Sequence, residues 1–326
     1  MYNFYYTFAV DLNTVRTYYR VADLLFAVET NATEAWGTMP NYAAFREEEV
    51  AGLDESPLFV LRIDSTGLLG EAEQAVYRHL YTDSSEEDMP RIEVYQRADG
   101  GWWLRVAIQA KAPICCELVC DAHFHSAVLH LDTDCADRRF CIDNALMLLY
   151  AFRTAPLRVL EMHAAVVVKP RIATNGGGRE LAYLFLGHSG TGKSTHARQW
   201  LEAYPDAWLL NDDNPIVRVM PDGEVRVYGS PWSGKTPCYK NAYARIGGII
   251  KLSQAPYNQM QSVSLPQAYA YMLSSTSGLK MEPSIADSLH ESIKHIITHV
   301  PCRHMHCLPN TEAARVCYET LNQENV

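Results

Sequence analysis

The chain has 326 residues, 48% of them hydrophobic and 20% charged, with a formal net charge of −10; this is a globular mix, long enough for two domains and for a core that needs neither disulfides nor metal. The acidic balance argues against a general nucleic-acid or anionic-membrane partner, since both reward a basic surface. Met1-Tyr2-Asn3-Phe4-Tyr5-Tyr6 lacks the basic and apolar regions of a signal peptide, no run has the length of a membrane helix, and nine cysteines form no framework pattern, so a cytoplasmic protein with reduced thiols is expected.

Residues 1–136 read as a β-rich accessory domain. Runs at 4–10, 18–28 and 58–63 carry aromatic and β-branched residues in strand-like clusters. Runs at 91–95 and 102–108 flank Ala98-Asp99-Gly100-Gly101, and Asp-Gly between two such runs is a hairpin signal. Runs at 114–120 and 126–131 continue the habit. Two stretches invite a metal reading: Cys115-Cys116-Glu117-Leu118-Val119-Cys120 followed by His123 and His125, and Cys302-Arg303-His304-Met305-His306-Cys307. Neither pairs two Cys-x-x-Cys knuckles, and both sit in apolar, strand-like surroundings where Cys serves as a small core residue. No metal site is expected there.

From residue 137 the style changes. Apolar positions at Phe140, Ile142, Ala145, Leu146, Leu148, Leu149 and Phe152 have a helical rhythm that ends before Pro156. Strands are expected at 160–168 and 181–186, divided by the loop Asn175-Gly176-Gly177-Gly178, then at 208–210, and as a hairpin at 217–219 and 225–228 around Pro221-Asp222-Gly223. Helices near 266–274 and 284–298, a short strand and a last helix from Asn310 complete an α/β second domain over 137–326.

The chemistry is carried by Gly187-His188-Ser189-Gly190-Thr191-Gly192-Lys193-Ser194, which follows a buried strand and opens a helix. This is the context of a phosphate-binding P-loop. Glycines allow positive φ and let backbone N–H groups close round phosphate oxygens, and the helix N-terminus adds unpaired donors and a positive dipole end. Nucleotide-binding residues are therefore expected at Gly187, Ser189, Gly190, Thr191, Gly192, Lys193, Ser194 and Thr195, with Lys193 on the β- and γ-phosphates of ATP and Ser194 on Mg²⁺. Further on, Leu209-Leu210-Asn211-Asp212-Asp213-Asn214 puts carboxylates at the end of an apolar strand, where a P-loop protein needs one for Mg²⁺. Neighbouring side chains on an ideal strand point opposite ways, so a turn before Pro215 must reorient one.

A Gly-x-Ser-Gly-x-Gly-Lys-Ser loop followed by Asp-Asp at a strand end resembles the kinase domain of HPr kinase/phosphorylase, a family sharing its nucleotide-binding core with phosphoenolpyruvate carboxykinase. His163 stands where that family has a His-Gly, with Ala164 in place of the Gly. Ala244-Arg245-Ile246-Gly247-Gly248-Ile249-Ile250 resembles the family's Glu-Val-Arg-Gly-Leu-Gly-Ile-Ile signature, with Tyr243 or Ala244 in place of its Glu. The resemblance spans roughly 140–320 and implies a P-loop kinase domain of mixed sheet and helices there; with the β-rich front half read from the residues, the expected fold is that domain preceded by a smaller β-rich α+β domain. It implies Asp212 as the base for the acceptor hydroxyl, Asp213 with Ser194 as metal ligands, His163 near the γ-phosphate, Lys193 on the phosphates and Arg245 on the transferring group. The missing Glu leaves a second Mg²⁺ ligand without a counterpart, and the front half does not resemble that family's regulatory domain. The layout is more similar to HPr-kinase-related proteins than to the enzyme acting on HPr.

The expected activity is transfer of a phosphoryl group from ATP to a hydroxyl, serine first, of a small protein, peptide or metabolite, in a chain free to form a homo-oligomer. A nucleotide-binding regulatory or partner-docking module with little turnover is the second reading. The third, a carboxykinase-like enzyme, needs oxaloacetate-binding arginines and a metal-binding His–Lys set that the sequence does not offer. The run Tyr228-Gly229-Ser230-Pro231-Trp232-Ser233-Gly234-Lys235 is placed at an active-site rim, or else is a rigid turn.

Overall fold

A computed structural model describes residues 14–31, 39–48, 55–83, 90–172, 178–234 and 236–323. The expected strand at 4–10, most of the 175–178 loop, and Lys235 lie outside them. The fold is mixed α/β, built on two large mixed sheets. The chain divides into one unit of Met1–Arg20, Leu24–Pro40 and Arg46–Leu146, and a second of Val21–Asp23, Asn41–Phe45 and Met147–Val326. No helix among the described residues is long and apolar enough to cross a membrane.

In the first unit the strands are β1 (Thr14–Val21), β2 (Leu24–Asn31), β3 (Arg46–Glu47), β4 (Val60–Asp64), β5 (Tyr77–Asp83), β6 (Arg91–Arg97), β7 (Trp102–Ala107), β8 (Ile114–Cys120) and β9 (Ser126–Leu131), with a short α1 (Glu71–Gln74) before β5. They form one sheet in the order β3-β1-β2-β4-β9-β8-β7-β6-β5, in which β4 runs parallel to β2 and β9. The 98–101 hairpin is present, with Gln96 opposite Trp102. The apolar run at 18–28 is two strands, not one. Ala22 and Asp23 turn between them with φ of 48° and 64°, the handedness that matches strand twist in a two-residue hairpin. Runs such as Leu24–Val28 are buried throughout, Phe26 stacks on Phe59 at 4.9 Å, and Leu61, Leu104 and Leu118 are fully buried.

Helix α2 (Arg138–Thr154) follows, and the division between the units falls inside it. Its buried Cys141, Ala145, Leu146 and Leu149 keep the helical spacing, and Pro156 lies in the 3₁₀ turn that ends it. The second unit then supplies β10 (Val159–Glu161), β11 (Ala164–Ile172), β12 (Gly178–Leu186), α3 (Lys193–Ala203), β13 (Trp208–Asp213), β14 (Ile216–Val219), β15 (Val225–Tyr228), β16 (Tyr243–Gln254), β17 (Gln259–Ser262), α4 (Leu265–Ser274), α5 (Pro283–His299), β18 (Cys302–Cys307) and α6 (Thr311–Gln323). Ser264 caps α4, its backbone N–H held by Gln267 Oε1 at 2.9 Å.

The sheet order is β10-β14-β15-β16-β12-β11-β13, with β18 beside β16 and β17 beside β18. The strand expected at 160–168 bends at Met162 and His163, so that its first part, β10, pairs with β14 and its second, β11, with β12 and β13. Strands β13 and β14 are likewise one chain path bent at Asn214 and Pro215. Two long bent strands therefore run side by side, joined at the bend by Met162 N–H donating to the Pro215 carbonyl at 3.0 Å. On one face of the sheet α3 and α6 bury Trp200, Ala197, Cys317 and Leu321 against Tyr183, Phe185, Ile250 and Met305. The bends are where the polar residues collect.

Candidate functional site

Strand β12 ends at Leu186, and the chain turns through Gly187–Gly192 into α3. Gly190 and Gly192 have φ of 74° and 106°, values that only glycine adopts without strain. Gly187 is buried, while Ser189, Gly190 and Ser194 are exposed and Thr191, Gly192 and Thr195 half-buried. The loop thus offers backbone and hydroxyl groups to solvent at a helix N-terminus whose first N–H groups lack intrahelical acceptors. The whole expected set Gly187, Ser189, Gly190, Thr191, Gly192, Lys193, Ser194 and Thr195 is contiguous at this end of the sheet. Beside it lies a cleft of about 540 Å³ lined by Thr191, Thr195, Leu252, Gln254, Leu308 and Pro309, with Lys193, His163, Asp212 and Asp213 outside its lining. That is an ordinary volume for a small-ligand site.

Lys193 is buried and folded back under the loop. Its Nζ donates to the carbonyls of Gly187 (3.0 Å) and His188 (3.4 Å) and lies 2.9 Å from His163 Nε2. Burial pushes its pKa down, opposed by the charges of Asp213 and Asp212 and reinforced by Lys251. His163 Nε2 is also 3.2 Å from Asp213 Oδ1. One ring nitrogen therefore faces both a cation and an anion. Unprotonated, it accepts from Lys193; protonated, it donates to Asp213 and repels Lys193. The bend at Met162–His163 makes this chain of contacts possible, and it is fixed by His163 N–H donating to the Ser275 carbonyl at 2.7 Å.

The two aspartates differ. Asp213, with 37% of its side chain exposed, has Oδ1 at His163 and accepts from Asn214 Nδ2 at 3.1 Å on Oδ2. Both oxygens are oriented, and each keeps a lone pair for a cation. Asp212 is 3% exposed, and no hydrogen bond to its carboxylate is found among the described residues. Its backbone is clamped instead: Gly234 N–H donates to the Asp212 carbonyl at 2.7 Å, and a Cβ on Gly234 would stand 2.9 Å from that oxygen. Ser230 Oγ donates to the Asn214 carbonyl at 2.6 Å, and Asn211 Nδ2 donates to the Trp232 carbonyl at 3.1 Å. The 228–234 segment is thus the brace of the Asp-Asp strand end.

Arg245 is not part of the cluster. Parallel pairing sets Arg245 opposite Leu181 and Lys251 opposite Leu186, the last residue before the loop. Five strand residues separate Leu181 from that end, about 17 Å at strand rise, and the Arg245 guanidinium is held there by Glu224 at 2.8 Å. The cation that β16 does bring to the loop is Lys251, whose pKa is lowered by burial and whose charge acts on Lys193. It escaped the sequence reading because only the β12–β16 register reveals it.

Nothing in the local sequence marks Glu161 either. At the end of β10 it is 1% exposed, and neither carboxylate oxygen meets a hydrogen-bond partner among the described residues. Burial pushes its pKa up to about 8, with the Asp213 charge acting the same way and nearby Ser277 opposing. A carboxyl raised in the folded state leaves stability intact below its ordinary 4.5 and removes it as pH rises through about 8. Glu161→Gln is therefore expected to flatten the fall of stability between pH 5 and 8 by about 3 kcal/mol, read as the pH slope of denaturant midpoints. An unchanged slope would show that Glu161 ionises freely in the fold.

No protein-family model matches the chain, and no curated protein matches it.

Proposed function

We propose that the chain is an ATP- and Mg²⁺-dependent phosphotransferase of the HPr-kinase-related kind, moving the γ-phosphoryl to a hydroxyl, serine first, of a protein, peptide or small-molecule acceptor. The observation that carries this reading is the linked set Lys193–His163–Asp213 under a glycine-rich loop at a helix N-terminus, with Asp212 beside it. A mixed sheet with helices over the second unit is compatible with an HPr kinase/phosphoenolpyruvate carboxykinase-type domain.

The residues present suit a nucleotide and a divalent cation: a donor-rich loop, a buried ammonium, a cleft beside the loop, and an oriented carboxylate linked through His163 to Lys193, the residue before Ser194. Mg²⁺, when bound, would neutralise phosphate charge there. Lys193 would exchange its carbonyl partners for phosphate oxygens, and Ser194 and Asp213 would hold the cation. His163 spans Lys193 and Asp213 and keeps both aligned. Asp212, with uncommitted lone pairs, takes the proton of the acceptor hydroxyl as it attacks. Arg245 has no role in this scheme; Lys251 is the second cation at the loop.

The test incubates the full chain with γ-labelled ATP, Mg²⁺ and seryl peptides, small proteins or polyols, and measures labelled acceptor alongside nucleotide binding. Lys193→Ala is expected to lower transfer about 10³-fold. If nucleotide binds but no acceptor or water ever receives phosphate, the kinase reading fails and the docking-module reading, favoured by Tyr243 and Ala244 at the family's Glu position, replaces it.

A further inference from the structure

Three of the nine cysteines meet within the first unit, and a fourth lies against one of them. Opposite β7, strand β8 carries a bulge: Val106 pairs with Cys116 and Ala107 with Ile114, leaving Cys115 as the extra residue. On a regular strand Cys115 and Cys116 would face opposite ways. The bulge re-aims one of them, and both thiols converge on Cys141 in the first turn of α2. The Sγ atoms of Cys115, Cys116 and Cys141 all lie within 4.8 Å of one another, the one such group of three metal-ligating side chains among the described residues. Cys115 and Cys141 sulfurs are 3.5 Å apart, and Cys135, just before α2, puts its sulfur 3.5 Å from that of Cys141. Three of the four are buried and none is in a disulfide.

The distances discriminate among the uses of such a group. A disulfide holds its sulfurs at about 2.05 Å. Four thiolates round one zinc ion, at Zn–S near 2.3 Å, stand about 3.8 Å apart; the Cys115–Cys141 and Cys135–Cys141 sulfurs stand 3.5 Å apart, and Cys135, outside the three-sulfur group, has to swing toward Cys115 and Cys116 to complete the set. Core cysteines that merely fill space have no cause to seek one another; Cys120 and Cys317 are buried without joining any such group. Soft sulfur ligands, three of the four buried, select zinc over magnesium or calcium.

We propose that Cys115, Cys116, Cys135 and Cys141 bind one zinc ion as a structural site that ties the β8 bulge to the start of α2. Binding releases the four thiol protons to solvent and leaves a tetrahedral tetrathiolate centre. The ligand pattern is invisible as a motif because the adjacent pair ligates only through the bulge. The site stands independently of the phosphotransferase reading.

The test is metal analysis of the full chain purified without chelator from zinc-supplemented medium, where about one zinc per chain is expected. Cys116→Ser and Cys141→Ser should each abolish stoichiometric zinc, whereas Cys302→Ser in β18 should retain it. Because the buried variants can misfold, two further readings accompany them. Cys135→Ser, partly exposed, should weaken zinc retention against a chelator, and cobalt taken up by the unmutated chain should show sulfur-to-metal charge transfer and tetrahedral visible bands. Absence of stoichiometric zinc under zinc excess, zinc retained in Cys141→Ser, or a Cys115–Cys141 disulfide in its place would overturn the proposal.

Discussion

Asp212→Asn is expected to reduce phosphoryl transfer about 10³-fold, the usual scale for losing a positioned general base, with nucleotide affinity changed no more than about twofold. The geometry sets both halves of this expectation. Asp212 is held from behind, through its carbonyl, by Gly234 at 2.7 Å, and asparagine keeps that backbone contact and nearly the same volume. What asparagine cannot do is accept a proton from the acceptor hydroxyl. Asp213 is tied at both oxygens to His163 and Asn214 and remains in place as the proposed Mg²⁺ ligand. The measurement is therefore kcat together with the Mg²⁺ concentration giving half-maximal rate. A fall in kcat at an unchanged Mg²⁺ requirement assigns Asp212 as the base; a large rise in the Mg²⁺ requirement would mean that the two aspartates exchange roles.

The parts of this site that the sequence made legible are those encoded over a few residues. The 187–194 loop, the Asp-Asp strand end, the α2 periodicity and the turns at 98–101 and 221–223 depend on local spacing, and the structure forms each where its pattern lies. The parts that were not legible depend on contacts between distant segments. Residues 160–168 are uniformly apolar apart from Glu161 and His163, so nothing local announces the bend that gives β10 and β11 different partners. Ala22 and Asp23 are unremarkable in sequence yet adopt positive φ because the hairpin twist demands it. The choice between Arg245 and Lys251 is a matter of register between strands some sixty residues apart, and a resemblance in the 244–250 run carried no information on which end of β16 faces the loop. Glu161 and the thiol group show the same limit: burial and convergence are properties of the assembled sheet, not of neighbours in the chain.

Trp200→Ala is expected to destabilise the second unit by about 3–5 kcal/mol, the largest stability loss among single core truncations there. The indole is fully buried, with Tyr183, Phe185, Tyr204 and Tyr318 rings at 4.7, 5.5, 5.7 and 5.8 Å. It joins α3 to β12 and α6, and α3 is the helix whose first turn carries Lys193, Ser194 and Thr195. Its Nε1 also donates to His196 Nε2 at 3.1 Å, an imidazole that burial keeps neutral by pushing its pKa down to about 4. Two effects are thus removed together, ring packing and a buried hydrogen bond. Trp200→Phe separates them, because it keeps most of the ring contact and leaves His196 without a donor, a cost of about 1–3 kcal/mol. Urea unfolding followed by far-ultraviolet circular dichroism and by loss of nucleotide binding should rank Ala as more damaging than Phe. The nucleotide transition should move with the dichroic one, since the loop is anchored through the same helix. Were Phe to cost as much as Ala, the His196 contact rather than ring packing would be what holds α3 against the sheet.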